Sequence, residues 1–566
     1  VALKLDNRVY HYQNDQGYSR LSRDEWHHFQ HAYNDLENRN LHIARIDLRT
    51  ENVRQIKDHL DLLFLIQNRH IDFLISRQCD FNLLDDLKSG HPSAIPGVGF
   101  FSQTPQQSPA TTELRQRVAE RLGAQFIPAQ IRRLKGKLAN IAYNSPNESA
   151  DLSPNHYPSY PTTFSEQLDD LYLRWFALNV INQDWGIRKD GLIDLSRHSD
   201  SNKPLTAAER EGLILYRERL TDSIITSLTT QYTGGASHLL LAIARFQAIS
   251  RSLNEGRLWL LDVTPTDPAL HSIAITEERI KPLKNQHARI LQQLPRLRQA
   301  FVETPEESTL QQFEYATSIL RETERGLKTG QAIRFNRRST PPTGIGLATL
   351  PVSSMDATSL ERAHSMATDR LEAFQEQIKE SYAYRLIDRN CVTELVSAMN
   401  ASFPDQQSAQ KALGGMILPG ESQGYIPFRF FELVRARYRV TGITTLPSFR
   451  NRELQRMADS HIDWIDLAAE TATPVSRLYR PRNGDSAFLL FTDNVFWQRP
   501  AYGAINLAFG LTSASAGLLT APFDQGNLLR EGLRGALFSL PELAFWNIRK
   551  GSYEETPFTE AEPYSD

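Results

Sequence analysis

The segment of residues 384–400, YRLIDRNCVTELVSAMN, constrains the fold of this chain more than any other. Apolar and polar residues alternate as far as a polar turn that ends at Asn390, and a helical pattern begins at Cys391. We therefore predict a strand, a tight turn and a helix, in that order. A thiol at a helix N-terminus lies beside unpaired N–H groups and the positive end of the helix dipole, and both favour the thiolate. Cys391 is accordingly the first candidate for a nucleophile.

Composition excludes several classes of function. A formal net charge of −3 over 566 residues gives no basic surface from which to predict nucleic-acid binding. Two cysteines make neither a disulfide framework nor a cysteine-rich zinc site, although one bridge between Cys79 and Cys391 remains open. The sequence contains no glycine-rich phosphate loop and no Gly-x-Ser-x-Gly elbow. We expect no cofactor and no metal.

The spacing of apolar residues predicts a helix-rich α+β protein. Changes in composition divide the chain into a helical N-terminal domain (1–150), a linker with an apolar-aromatic segment (151–205), a core (206–403) and a C-terminal region (404–566). Helices are predicted at 51–75, 112–143, 206–231, 276–301, 310–329 and 359–382. Residues 237–246 and 257–263 have the pattern of two strands that form a hairpin.

A thiol nucleophile needs a base, and the base needs a group that orients it. His238 is the candidate base, because it follows a stretch with two glycines and opens the apolar run 237–246, where a strand would hold it at the edge of a cleft. Asp262 and Glu255 lie on or beside the partner strand and are candidates for the orienting group. The simpler interpretation makes His238 a satisfied histidine at a strand start and Cys391 a buried small residue.

Two other groups of residues are weaker candidates. Asp80 follows Cys79 directly and disfavours a thiolate there, so we predict a structural role for Cys79. His27 and His31 are four residues apart and share a helix face, but no third metal ligand lies near them in the sequence. A solvated helix face explains these histidines more simply than a metal site does.

Two elements of the sequence resemble the circularly permuted papain-like fold. The first is GASH at residues 235–238, and the second is YAYRLIDRNCVT at residues 382–393. Together they look like the N-terminal periplasmic domain of the lipoprotein intramolecular transacylases, and the resemblance covers residues 206–403. The chain departs from that pattern at Val392, where the family has Thr or Ser, and at Ala236 and Ser237, which separate Gly235 from the histidine.

The resemblance implies acyl transfer through a permuted papain-like core. Cys391 would be the nucleophile and His238 the general base, and the thiolate would attack an ester or amide carbonyl. The backbone N–H of Cys391 and the side chain of Tyr384 would form the oxyanion hole. Water or an amine would then resolve the acyl-enzyme.

Residues 501–523 form one long run without a charged residue, and this run has the length of a membrane span. Asn506, Thr512 and Pro522 dilute its hydrophobicity, so we expect a buried or membrane-dipping helix rather than a full span. Residues 532–550 then mix apolar, aromatic and basic side chains. This region would either rest on a membrane surface or pack on the core as a helical hairpin.

The combined prediction is an envelope-associated, thiol-dependent acyltransferase or hydrolase that acts on an acyl ester or amide, with a lipid or lipoprotein as substrate. Two alternatives remain, namely a non-catalytic envelope scaffold with a protein partner and a cell-wall amidase or peptidase. The sequence begins at Val1 rather than at Met, which either a removed signal peptide or an expression boundary would explain. We expect a location in the periplasm or cell envelope, with contact to a membrane surface.

Overall fold

The computed structural model describes residues 1–15, 17–96, 98–102, 108–143, 152, 156–188, 191–194, 204–230, 235–262, 264, 272–275, 277–334, 345–348, 355–385, 388–418, 427–460, 464–479, 485–493, 495, 497–524, 526–544, 551 and 553. Part of the glycine-containing stretch before His238 (231–234) lies outside the described residues. So do two residues of the predicted strand before Cys391 (386 and 387).

Helices dominate the described residues, in agreement with the helix-rich prediction. In chain order they are α1 (Trp26–Gln30), α2 (Thr50–Ser89), α3 (Pro109–Leu122), α4 (Phe126–Ala139), α5 (Phe164–Asn182), α6 (Ala207–Thr229), α7 (Ala236–Glu255), α8 (Glu277–Glu303), α9 (Glu307–Thr329), α10 (Ala357–Tyr382), α11 (Cys391–Ala401), α12 (Gln406–Leu413), α13 (Pro427–Arg437), α14 (Phe449–Asp459), α15 (Trp464–Ala469), α16 (Arg499–Asp524) and α17 (Asn527–Ser539). A π-helical turn covers His31–Leu36, and short 3₁₀ turns cover Val98–Phe100 and Pro541–Ala544.

The strands are short and form small antiparallel sheets. In chain order they are β1 (Leu3–Leu5), β2 (Arg8–Asp15), β3 (Tyr18–Glu25), β4 (Leu41–Ile46), β5 (Ser93–Pro96), β6 (Leu192–Asp194), β7 (Trp259–Leu261), β8 (Ser272–Ile273), β9 (Ile333–Arg334), β10 (Ile345–Ala348) and β11 (Val440–Leu446). The first three strands form a meander, and the others pair as β4–β11, β5–β10, β6–β7 and β8–β9.

The chain divides into two compact units. We call Val1–Arg69, Ser153–Tyr157 and Ile378–Asp566 the terminal unit, and His70–Leu152 with Pro158–Gln377 the central unit. The division made from the sequence, at residues 150, 205 and 403, does not coincide with this one. In particular, the first residues of the chain are strands rather than helices, and they belong to the same unit as Cys391.

In the terminal unit, α11 packs on one face of the β1–β2–β3 meander. Leu5, Tyr10 and Leu21 supply the sheet's buried apolar side chains, and Val392 and Val396 supply those of the helix. In a strand, successive side chains point to opposite faces, so this set leaves the other face of β2 for different contacts. The packing fixes the beginning of α11 relative to the sheet.

In the central unit, the core is built around α5 and α7. α5 begins with a capping box in which the Thr163 hydroxyl accepts from the Glu166 N–H, while the Glu166 carboxylate accepts from the Thr163 N–H. On α7, the consecutive residues Leu239, Leu240 and Leu241 are all buried. Buried side chains on all sides of α7 show that the unit encloses this helix.

The predicted strand at residues 237–246 is wrong, because this run lies inside α7. Its continuous apolar residues suit a buried strand and a buried helix equally well, and periodicity does not separate the two. The predicted strand at 257–263 is present as β7, but it pairs with β6, so the predicted hairpin is also wrong. The helices predicted at 206–231, 276–301, 310–329 and 359–382 are confirmed as α6, α8, α9 and α10.

A buried ion pair connects α7 to α9. Arg245 Nη1 lies 2.7 Å from a carboxylate oxygen of Glu314, and the two side chains are 1% and 2% exposed. Glu307 also pairs with this guanidinium, at 2.8 Å, and its carboxylate accepts from the Tyr216 hydroxyl. Removal of one partner would leave a buried charge uncompensated, so these contacts tie the helices of the unit together.

Candidate functional site around Cys391

Cys391 occupies the first position of α11, as the sequence predicts. The Asn390 side chain caps the helix by accepting hydrogen bonds from the N–H groups of Val392 (2.8 Å) and Thr393 (3.2 Å). The Thr393 hydroxyl in turn accepts from the Asn390 N–H at 2.8 Å and so completes a capping box. The thiol is half-buried and is not part of a disulfide. The positive end of the helix dipole therefore acts on a free thiol.

Contacts with the turn between β2 and β3 position the segment that leads to Cys391. Gly17 has a φ of 93°, a conformation that favours glycine, and its carbonyl accepts from the Tyr384 N–H at 2.7 Å. Ala383 forms an isolated antiparallel bridge with Tyr18. Arg385 and Arg389 exchange two backbone hydrogen bonds across the tight turn before the helix. In its described part, the predicted strand is present only as isolated β-bridges. The predicted turn and helix are confirmed.

The Tyr384 side chain lies next to the Cys391 thiol. Its hydroxyl lies beside Cys391, where the side chain and the backbone N–H of the cysteine both influence its ionisation. Burial raises the pKa of Tyr384, and the neighbouring Cys391 raises it further. The hydroxyl consequently stays protonated at neutral pH and can donate a hydrogen bond to a negatively charged sulfur or oxygen.

A second group of polar side chains lies on the other face of the meander. His11 and Asp24 are diagonal neighbours on β2 and β3, and His11 Nε2 lies 2.7 Å from Asp24 Oδ2. The Tyr33 hydroxyl lies 3.4 Å from His11 Nδ1. Because a carboxylate only accepts, Nε2 carries the imidazole proton, and Nδ1 is left to accept from Tyr33.

Burial controls the ionisation of this group. It lowers the pKa of His11, and the hydrogen bond from the imidazole to Asp24 opposes that shift. Burial also raises the pKa of Tyr33 to about 12, with smaller contributions from Glu37 and then Cys391. Tyr33 is therefore close enough to Cys391 to interact with it electrostatically, and its hydroxyl also lies near His11 Nδ1.

The first residues of the chain border the same place. The backbone nitrogen of Val1, just before β1, lies near both Cys391 and His11. β1 pairs with β2 so that Leu3 lies opposite Tyr10. The beginning of β1, the beginning of α11 and the Tyr33–His11 pair thus meet near one edge of the sheet.

The sequence-predicted partners of Cys391 lie in the central unit. His238 is exposed in the first turn of α7 rather than at a strand edge. Asp262 is buried, and its carboxylate pairs with Arg321 at 2.5 Å and accepts from the Thr264 N–H at 2.9 Å. Glu255 ends α7 and pairs with Arg251 and Arg257. Neither compact unit contains both Cys391 and His238, so neither holds the predicted pair.

Cys79 lies in the interior of α2, where no helix end is available to stabilise a thiolate. Cys79 is exposed at the surface, but partial desolvation raises the pKa of its thiol, and the carboxylates of Asp169, Asp80 and Glu166 raise it further. Both cysteines are free, so the bridge between Cys79 and Cys391 that the sequence left open is not formed. Asp80, which the sequence predicts to disfavour a thiolate at Cys79, is one of these carboxylates.

Sequence reasoning missed His11, Tyr33 and Asp24. His11 lies on β2, in a region that the sequence analysis assigned to a helical domain, so neither the strand nor this residue was predicted. Asp24 becomes its partner only through the register of β2 and β3. Among the described residues, no group of three or more His, Cys, Asp or Glu side chains is arranged to hold a metal ion.

A scan against protein-family models, a search of curated proteins and a search of solved structures each find no match to this chain.

Proposed function

We propose that the protein is a thiol-dependent acyltransferase or hydrolase with Cys391 as its nucleophile. One observation carries the proposal: the Cys391 thiol stands at the first position of a capped helix and lies beside the Tyr384 hydroxyl. The helix N-terminus and a hydroxyl donor both stabilise negative charge on sulfur. Such an arrangement suits nucleophilic attack better than it suits a structural cysteine.

In the proposed reaction, the sulfur of Cys391 attacks the carbonyl carbon of an acyl ester or amide. The C–S bond forms, and the bond from carbon to the leaving oxygen or nitrogen breaks. The Tyr384 hydroxyl and the backbone N–H of Cys391 converge near the sulfur and supply two hydrogen bonds to the oxyanion. Water or an amine then attacks the thioester and releases the free acid or a new amide.

The proton of the thiol passes to His11 in this proposal. Tyr33 takes that proton on its oxygen and gives its own to Nδ1 of His11, while Asp24 stabilises the resulting imidazolium. The leaving group receives the proton by the reverse route. We assign the base to His11 rather than to His238, because His11 and Cys391 belong to one compact unit.

The arrangement of a cysteine helix on an antiparallel sheet also supports a permuted papain-like core, as the resemblance of residues 382–393 implies. In this proposal, the sheet of that core is the β1–β2–β3 meander, which lies outside residues 206–403. The lipid or lipoprotein substrate and the location in the periplasm or cell envelope rest on the same resemblance.

Hydrolysis of p-nitrophenyl acetate, butyrate, octanoate and laurate tests the proposal. We expect a burst of nitrophenol and an acyl adduct on the peptide that contains Cys391, with rates that rise with chain length. Cys391→Ala should lower the rate at least about a thousandfold. Tyr384→Phe and His11→Gln should each lower it about a hundredfold, because they remove an oxyanion donor and the base.

Cys79→Ser and His238→Ala are the matched controls, and both should keep the wild-type rate. Turnover that survives in Cys391→Ala would refute the assigned nucleophile. The absence of any acyl adduct on Cys391 would instead favour the non-catalytic scaffold. Acylation by an N-acyl peptide but by none of the fatty-acid esters would favour the amidase or peptidase.

A further inference from the structure

Helices α16 and α17 form an antiparallel hairpin whose contact surface is made of small residues. A Cβ atom added at Gly510 would lie 2.5 Å from the backbone N of Ala536, and one added at Gly517 would lie 2.2 Å from that of Leu529. One added at Gly532 would lie 2.3 Å from the backbone N of Ala514. Close backbone approach through glycine and alanine is typical of helix pairs in lipid, where no hydrophobic effect drives helices together.

The outside of this hairpin is apolar and exposed. The described residues contain one helix long and apolar enough to cross a bilayer, Arg499–Thr520, and only 28% of that stretch is buried. Leu518 and Leu519 are 65% and 80% exposed on α16, and Leu533 and Leu537 are exposed on α17. A core helix of a water-soluble protein would be mostly buried, so these side chains need a partner outside the described chain.

Polar groups of α16 are satisfied internally. The Thr512 hydroxyl donates to the carbonyl of Phe509, and that of Ser515 donates to the carbonyl of Leu511, both at 2.8 Å. Asn506 is fully buried, and its side chain accepts from the N–H of Leu490 at 2.8 Å. In hydrocarbon each unsatisfied polar group costs several kcal/mol, so these internal bonds fit a lipid environment.

The charges at the hairpin's ends and on α17 exclude a simple crossing of the bilayer. α16 ends at Asp524, and α17 carries Arg530, Glu531 and Arg534. Crossing would carry these groups through the hydrocarbon. Arg530 and Arg534 are exposed beside the leucines of α17, and Trp497 is 83% exposed just before α16. Tryptophan and arginine are the residues that meet lipid headgroups.

We propose that the α16–α17 hairpin inserts its apolar outer surface into one leaflet of a lipid bilayer, with Arg530 and Arg534 at the phosphate groups. The surface then anchors the terminal unit to a membrane without spanning it. The small-residue contact keeps the hairpin closed, so it presents its leucines to the lipid as one preformed surface. This inference does not depend on the chemistry of Cys391.

Flotation of the full chain with lipid vesicles tests the inference. We expect flotation with phosphatidylcholine vesicles, and more of it when phosphatidylglycerol is included. The double variant Leu518→Glu with Leu519→Glu should lower the bound fraction roughly tenfold or more, because two exposed leucines lose their apolar contact with lipid. The matched control, Ile214→Glu with Leu215→Glu on α6, alters two other exposed apolar residues and should float like the wild type.

Circular dichroism would check that all variants keep their helix content. Equal flotation of wild type and the α16 variant would overturn the inference, as would the absence of flotation with either vesicle. A soluble dimer that dissociates in the α16 variant, without vesicle binding, would assign the surface to a second copy of the chain and would also overturn it. Binding to anionic vesicles alone, unchanged in the α16 variant but lost when Arg530 and Arg534 are both changed to Gln, would contradict insertion.

Discussion

Asn390 serves both the stability of α11 and the chemistry proposed for Cys391. Its side-chain oxygen satisfies two N–H groups at the helix start, and its backbone ends the turn that sets the thiol in place. A cap of this kind contributes about 1 kcal/mol to stability. The residue thus offers a way to separate the role of the cap from that of local charge.

Two substitutions at this position should behave differently. Asn390→Ala removes the acceptor and should lower the free energy of unfolding by about 1 kcal/mol in urea titrations. Asn390→Asp keeps an acceptor and should retain stability, but its negative charge beside the sulfur disfavours the thiolate. We expect iodoacetamide to label Cys391 more slowly in Asn390→Asp than in the wild type. Faster labelling in that variant would contradict the electrostatic account of the site.

At the residue scale, the sequence predicts features that neighbouring residues in the chain determine. It misses side-chain contacts that depend on which strands pair. The position of Cys391 at a helix start follows from near neighbours in the chain, whereas the raised pKa of Cys79 comes first from desolvation and from Asp169, with a smaller contribution from the adjacent Asp80. His11, Tyr33 and Asp24 come together only because β2 pairs with β3 and a turn folds over them. No propensity or motif encodes that register.

At the scale of elements, Glu322 ties α9 to β9. Its carboxylate accepts from Arg334 at 2.8 Å and pairs with Arg325 at 2.5 Å, and it is 3% exposed. Burial alone would raise the pKa of Glu322, but the hydrogen bonds from Arg334 and Arg325 lower it to about 2. A pKa lower in the folded than in the unfolded state stabilises the fold above the unfolded pKa, and that stabilisation is lost as the pH falls towards 2.

Glu322→Gln should therefore destabilise the protein at neutral pH by an amount on the order of 3 kcal/mol. The difference from the wild type should shrink as the pH falls below about 4.5 and vanish near pH 2. Glu324→Gln, also on α9, breaks a surface pair with Lys328 and should change stability by less than about 0.5 kcal/mol. Urea titrations across this pH range measure both effects. A pH-independent loss in Glu322→Gln would contradict the assigned cause.

The α16–α17 contact makes an equally direct prediction. In Gly532→Ala the new methyl group meets the backbone of Ala514, so the helices must separate, at a cost of about 1–3 kcal/mol. Gly136→Ala on α4 meets no atom within 4 Å and should raise stability by about 0.5–1 kcal/mol. Hydrogen exchange should show faster exchange of the α16 and α17 amides in Gly532→Ala only. Unchanged protection of these helices would contradict the close packing.

Helices with a polar face were predicted well, because their period of 3.6 residues is visible in the sequence. α7 was predicted wrongly because it lacks such a face, and the error moved His238 from a strand edge to a helix. Its neighbours in the core, not its own residues, decide between the two structures. Among the missed strands, those of two to four residues carry little periodicity, whereas β2, β3, β4 and β11 are six to eight residues long and were missed in spite of their length.

At the scale of the molecule, the last third of the chain belongs to the same compact unit as its first residues. Residues 1–69 share a unit with residues 378–566, so the thiol of Cys391 and the imidazole of His11 lie close to one place although 380 positions separate them in the chain. The sequence analysis placed Cys391 in one core with the residues just before it in the chain, 206–403. The division into helix-rich regions was predictable, whereas this closure depends on long-range packing of α11 on the meander.

The rate of iodoacetamide labelling at Cys391 as a function of pH, with Cys79 as the internal reference, tests the central claim most directly. We expect Cys391 to react faster than Cys79 at neutral pH, since burial and nearby carboxylates raise the pKa of Cys79. His11→Gln and Tyr33→Phe should slow Cys391, and His238→Ala should not. Equal labelling of the two cysteines, or loss of reactivity in His238→Ala alone, would contradict the account.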